Sequence, residues 1–166
     1  LMADVRRFAD DGGAVLGVCN GFQILTEAQL LPGALLRNAG MQFVCRDVGL
    51  RVESRASLLT AGLEAGSRHV MPVAHMEGNY FADPATLDEL ERTDRVILRY
   101  VDPLTGDATP EANPNGSARN IAGIANARGN VIGMMPHPER AVDPVLGSLG
   151  GRAMLQGLLD AIDRRT

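Results

Sequence analysis

AVLGVCNGFQILTEAQL, residues 14–30, is the stretch that decides the fold. Its first five residues are a short continuous apolar run, suited to a strand buried on both faces. From about Gly21 to Leu30 the pattern turns helical, and Pro32 and Gly33 end it. Strand, abrupt turn and helix together open a βα unit, the mark of an α/β domain. The turn itself, Gly17-Val18-Cys19-Asn20-Gly21, has the layout of a nucleophile elbow, which presents its central side chain at the carboxyl edge of a sheet. Flanking glycines let the backbone fold tightly around a strained residue and leave room for a substrate. A cysteine at the first turn of a helix also meets the positive end of the helix dipole and unpaired N–H groups. Such surroundings predict a thiol pKa lowered from about 8.5 into roughly the 3.5 to 7.5 range. Spacing alone leaves a second reading open, in which Cys19 is a small buried residue in a tight turn.

Outward from the elbow, Leu1, Val5, Phe8 and Ala9 fall on one helical stripe that Gly12 and Gly13 end. No capping residue and no initiator Met precede this stripe, so upstream residues are expected to be missing from the sequence. Residues 41–53 alternate, with Val48, Leu50 and Val52 against Asp47, Arg51 and Glu53, as in a strand with one wet face. Residues 69–74 and 95–101 read as further strands, separated by a helix that Asp83 can cap with Pro84 at its first position. IAGIANA and VIGMM, joined by Arg128-Gly129-Asn130, predict a hairpin. Ser148 can cap a last helix whose Leu155, Leu158, Leu159 and Ile162 would face the core. Residues 104–120 form the one long polar connection, of a length often functional or mobile; Asn115-Gly116-Ser117 within it reads as a turn rather than a glycosylation acceptor.

The 166 residues, 45% hydrophobic and 22% charged, suffice for one core and predict a single domain over 1–166. A net charge of −4 gives no electrostatic footprint for nucleic acid or anionic lipid. No apolar run approaches the roughly 20 residues of a membrane span, and the start is not a signal peptide, so the expected location is the cytoplasm. Two cysteines argue against a disulfide framework. Cys45, inside a strand pattern without glycines, is expected in the core. No close Cys or His pair suggests a metal site.

A nucleophilic thiol needs a base oriented by a third group. Of the three histidines, His69 has no supporting pattern, while His75 and His137 each have a carboxylate two residues on, Glu77 and Glu139. Proline separates them: Pro136 and Pro138 confine His137 to a narrow range of extended geometries, so His137-Glu139 is the better-organised dyad.

GVCNGFQ, LLPGALLRN, PVAHMEGNYF and NPNGSARNIAGIANARGNVIGMMPHPER, in this order and almost end to end, resemble the glutaminase subunits of phosphoribosylformylglycinamidine synthases, within the class I (triad) glutamine amidotransferases. The resemblance implies a doubly wound α/β fold with a mostly parallel sheet flanked by helices. It also implies a catalytic triad of Cys19, His137 and Glu139, in which Cys19 attacks the glutamine side-chain amide. Asn20 would donate to the oxyanion, and Gln23 and Gly21 would border bound glutamine. His75, Glu77, Gly78 and Asn79 resemble a loop near that pocket and a subunit interface, although Met76 stands where the family has glycine. Ammonia would pass to a synthetase subunit that holds ATP and magnesium and makes formylglycinamidine ribonucleotide in purine biosynthesis. No cofactor is implied in this subunit, and a small third subunit is a further expected partner. Family members begin with a strand, helix, strand and glycine-rich loop before the segment that starts here, roughly 60 residues. That loop would supply the second oxyanion donor. Two other readings stay open, a stand-alone cysteine amidase or glutaminase and a non-catalytic docking subunit.

Overall fold

The computed structural model describes residues 1–164. Helix α1 (Met2–Asp10) is followed by strand β1 (Val15–Val18), helix α2 (Asn20–Glu27), and strands β2 (Ala34–Arg37), β3 (Val44–Val52), β4 (Arg68–His75) and β5 (Glu77–Phe81). Helix α3 (Pro84–Arg92), strands β6 (Val96–Val101), β7 (Ile121–Ala125) and β8 (Val131–Met134), and helix α4 (Gly150–Asp163) complete the order. A six-stranded sheet runs β1-β8-β7-β6-β3-β4, and β2 pairs with β5 in a separate two-stranded sheet.

Local chemistry accounts for the element ends. Asp83 accepts from the Thr86 N–H at 3.1 Å and from its hydroxyl at 2.6 Å, and Pro84 follows at the first position of α3. In β8 the side chains alternate. Val131 and Met135 join a core with Phe22, Leu25, Leu87 and Leu90, whereas Ile132 and Met134 join one with Met154 and Leu158 of α4. The sheet is thus covered by α2 and α3 on one face and α4 on the other. Phe22 and Tyr80 stack at 5.7 Å, tying α2 to the small sheet.

The α/β class and the flanking helices agree with expectation, and so do the hairpin β7/β8 and the capped α3. Several details differ. β1 with β8 is parallel, and the other pairings of the large sheet are antiparallel. Parallel neighbours need a crossover between them, and β3/β4, β6/β7 and β7/β8 are joined by loops without one. β1 is only partly buried, because β8 is its sole partner among the described residues. The small sheet is not anticipated by the sequence: His75, Glu77, Gly78 and Asn79, expected in a loop, lie at the end of β4 and in strand β5. In α4 the stripe is rotated, with Met154, Leu158 and Ala161 inward and Leu159 56% exposed. The Ser148 hydroxyl accepts from the Gly150 N–H at 3.0 Å and donates to the Val70 carbonyl at 2.5 Å, while Leu149 holds the cap position. Cys45 is exposed, since the first half of β3 runs beyond the covering layers and only its second half is buried.

Candidate active site

Parallel pairing of β1 and β8 explains why residues far apart in sequence meet. Val18 is registered with Met134, so both strands deliver their next residues to the same carboxyl edge. The Cys19 N–H extends the ladder to the Met134 carbonyl at 2.8 Å. There the chain turns sharply, with Cys19 at φ 54° and ψ −111°, in the strained region expected of an elbow. Gly17 is required for the turn, because a Cβ there would sit 2.6 Å from the Gly21 carbonyl oxygen. A Cβ at Gly21 would point into open space, consistent with room for a ligand.

The Cys19 thiol is half-buried, and its Sγ lies 3.8 Å from the Ala74 carbonyl oxygen of β4. Burial raises its pKa; the Asn20 N–H and Arg140 pull it down, and Glu139 pushes it up. The expectation of a lowered thiol pKa is therefore corrected: the helix terminus is present, but lost hydration of the thiolate outweighs it. The thiol form predominates, and turning it into a nucleophile requires a base.

His137 follows β8 at the same edge, its N–H bonded to the Pro72 carbonyl at 2.9 Å. The residue is only 8% exposed, and its Nδ1 lies 2.6 Å from Glu139 Oε1. A carboxylate can only accept, so Nδ1 carries the proton and Nε2 presents a lone pair. That Nε2 is buried and has no hydrogen-bond partner among the described residues. Glu139 is half-exposed on a single turn, Pro138–Arg140, and Arg140 stands 3.5 Å from it. A strained elbow thiol, an oriented imidazole with a free nitrogen and an adjacent backbone N–H are the parts of a cysteine-dependent acyl-transfer site.

Cys19, Asn20, His137 and Glu139 therefore converge. Gln23, one turn along α2, is partly exposed and its amide donates to Glu27 at 3.0 Å. His75 is buried at the end of β4, and a Cβ at Gly78 would lie 2.5 Å from its ring. Glu77 pairs with Arg37 at the surface, 3.8 Å away, and no hydrogen bond joins Glu77 or Asn79 to Cys19 or His137 among the described residues. Sequence reasoning missed the Ala74 carbonyl, Arg140 and a buried polar group of Asn38, Tyr100, Asn115 and Ser117 around His75. The run Asn-Pro-Asn-Gly-Ser offers turn chemistry but no sign of burial.

This architecture and site define an elbow-type α/β amidotransferase class. Residues 1–155 match the family of CobB/CobQ-like glutamine amidotransferase domains, and the chain belongs to that family. It is 53% identical over 165 residues to the phosphoribosylformylglycinamidine synthase subunit PurQ of Koribacter versatilis, covering 99% of this chain and 71% of the relative. The subunit of the same name from Novosphingobium aromaticivorans is 56% identical over 159 residues, covering 96% and 66%. The structure of PurLQS from Thermotoga maritima superposes with a TM-score of 0.82 at 38% identity, over 97% of this chain and 68% of that one. A putative GMP synthase subunit from Thermoplasma acidophilum shares the fold, with a TM-score of 0.59 at 15% identity over 99% and 65% of the two chains.

Proposed function

We propose that Cys19, His137 and Glu139 hydrolyse glutamine to glutamate and ammonia through a cysteinyl thioester. The chain is a glutaminase component of phosphoribosylformylglycinamidine synthase, the subunit for which its relatives at 53% and 56% identity are named. The observation that supports the site assignment is that parallel strands β1 and β8 lead to one sheet edge a strained elbow thiol and an imidazole whose Nδ1 is held by Glu139 and whose Nε2 is unengaged.

In this mechanism His137 Nε2 takes the Cys19 proton as Sγ attacks the glutamine side-chain carbon, forming a C–S bond and an oxyanion. The Asn20 N–H stabilises that oxyanion from the turn after the nucleophile. Collapse breaks the C–N bond, and the imidazolium gives its proton to the departing amine, releasing ammonia and leaving the thioester. Water then attacks the thioester carbonyl while His137 takes its proton; the C–S bond breaks, and the proton returns to sulfur with glutamate released. Glu139 keeps the imidazole in the Nδ1–H tautomer throughout. Gln23 and the space over Gly21 would meet the rest of glutamine.

Ammonia would pass to a synthetase partner, which holds ATP and magnesium and makes formylglycinamidine ribonucleotide, with a small third subunit in the assembly and the cytoplasm as its place. No helix among the described residues is long and apolar enough to cross a membrane. The test uses the protein with its synthetase: Cys19→Ala should abolish glutamine-dependent synthesis and leave ammonia-dependent synthesis intact. Equal glutamine-dependent rates in variant and parent would overturn the nucleophile assignment.

A further inference from the structure

Beside the triad lies a buried polar cluster that the mechanism above does not use. Asn115, in the connection between β6 and β7, is 1% exposed, and each polar atom of its side chain is engaged. Its Oδ1 accepts from the Ser117 N–H at 3.1 Å and the Ser117 hydroxyl at 2.7 Å. A backbone N–H can only donate, so this contact fixes which end of the amide is oxygen. The Nδ2 end then points its two hydrogens at Tyr100 Oη and at His75 Nε2, each 3.3 Å away.

A ring nitrogen that receives a hydrogen bond carries no proton. His75 must therefore keep its single proton on Nδ1, and that atom is buried with no hydrogen-bond partner among the described residues. Protonating Nε2 would set N–H against N–H between two buried side chains, the costly case for buried polar groups. The ring cannot turn away, because it lies against the bare backbone of Gly78, whose N–H is held by Asn38 Oδ1 at 3.1 Å while Asn38 Nδ2 holds the His75 carbonyl at 2.9 Å. The titratable neighbours facing this ring are Tyr100 of β6, joined to it through Asn115, and His137 after β8. Glu77 is occupied at the surface with Arg37.

We propose that Asn115 is a positioning residue for the glutaminase reaction: it holds His75 as the neutral Nδ1–H tautomer, so that His137 is the one imidazole at the site that takes and returns the proton. The proposal rests on the assignment of His137 as the base. A cationic His75 would repel the imidazolium that His137 becomes after taking the cysteine proton. Burial draws His75 below the usual histidine pKa, its own backbone carbonyl pulls the other way, and the His137 charge adds to burial, so the net direction favours the neutral ring.

The test is long-range proton–nitrogen correlation NMR on the full-length protein labelled at its three histidines. The His75 ring should show the Nδ1–H pattern and titrate only below the range of an ordinary histidine. Asn115→Asp replaces the donor with an acceptor; His75 should then titrate within the ordinary histidine range. The kcat profile should then gain an inflection at the His75 titration, with kcat about tenfold lower on its acid side, where His75 is cationic, than on its alkaline side, the factor of one pKa unit, and KM little changed. Asn115→Leu, which neither donates nor accepts, should free the tautomer without creating a cation and add no such inflection. A His75 ring in the parent protein that carries a proton on Nε2, or an Asn115→Asp variant with an unaltered kcat profile, overturns the proposal. Because the parent spectrum is decisive without any variant, a variant that fails to fold leaves the test intact. Failure of the glutaminase assignment would appear instead as undiminished turnover in Cys19→Ala, whatever the tautomer of His75.

Discussion

The turn after β1 and the first half of β3 each carry one of the two cysteines, and the contrast between them separates accessibility from chemical competence. Cys45 is exposed on an ordinary strand, registered with Ala74 across the β3/β4 ladder. Cys19 is half-buried, forced to a positive φ and surrounded by a backbone N–H, an arginine and a glutamate. The sequence alone suggests a buried Cys45 and a Cys19 thiol of lowered pKa, whereas Cys45 is exposed and burial raises the Cys19 pKa. Cys45 went outward because the covering layers end before it. Cys19 became a poorer acid because burial disfavours its thiolate, and its reactivity must come from the neighbouring imidazole.

The sharpest way to break this contrast is to remove each sulfur in turn. Cys19→Ser should lower glutamine turnover by about 10⁴-fold or more. Cys45→Ser, at an exposed strand position, should leave turnover within about twofold. Glu139→Gln comes next, with an expected loss of about a hundredfold to ten-thousandfold in kcat, since the wrong tautomer at His137 removes the lone pair from Nε2. Full kcat in that variant would show that the half-exposed carboxylate does not orient the ring.

A smaller effect concerns the frame of the elbow. Gly17→Ala places a methyl 2.6 Å from the Gly21 carbonyl oxygen and from Leu25, so thermal or denaturant unfolding should register a loss of about 1–3 kcal/mol. An unchanged midpoint would mean that the turn relaxes freely. The smallest effect is in alkylation of the free protein without glutamine. Near neutral pH iodoacetamide should label the exposed Cys45 ahead of Cys19, and labelling of Cys19 should keep rising as pH passes the ordinary cysteine pKa, because burial raises its own. Peptide mass mapping across a pH series gives both rates, and faster labelling of Cys19 at pH 7 would break the comparison.

How much was legible follows from the range of each signal. The elbow, the PHPE dyad and the Asp83 cap are local, because their geometry is set by residues within a few positions of one another. Glycine at 17 and prolines at 136 and 138 report backbone constraints directly. The small sheet was not legible, since β3 and β4 intervene between β2 and β5 and EGNYF alternates too briefly to be told from a loop. Nor was the His75 cluster, because Asn and Ser in a loop look alike whether solvated or sealed against Tyr100.

By itself, the sequence determined an α/β chain with a cysteine in a strained strand-to-helix turn and an imidazole–carboxylate pair stiffened by proline. These depend on steric limits that act along the backbone. Only the tertiary structure decided that β1 and β8 run side by side in parallel, bringing the two halves of the site to one edge. It alone decided, too, which cysteine is buried, which way the strands of the sheet run, and that Asn115 fixes the protonation of His75. Those outcomes depend on desolvation and on hydrogen bonds between distant segments, and neither is encoded within any single window of the chain.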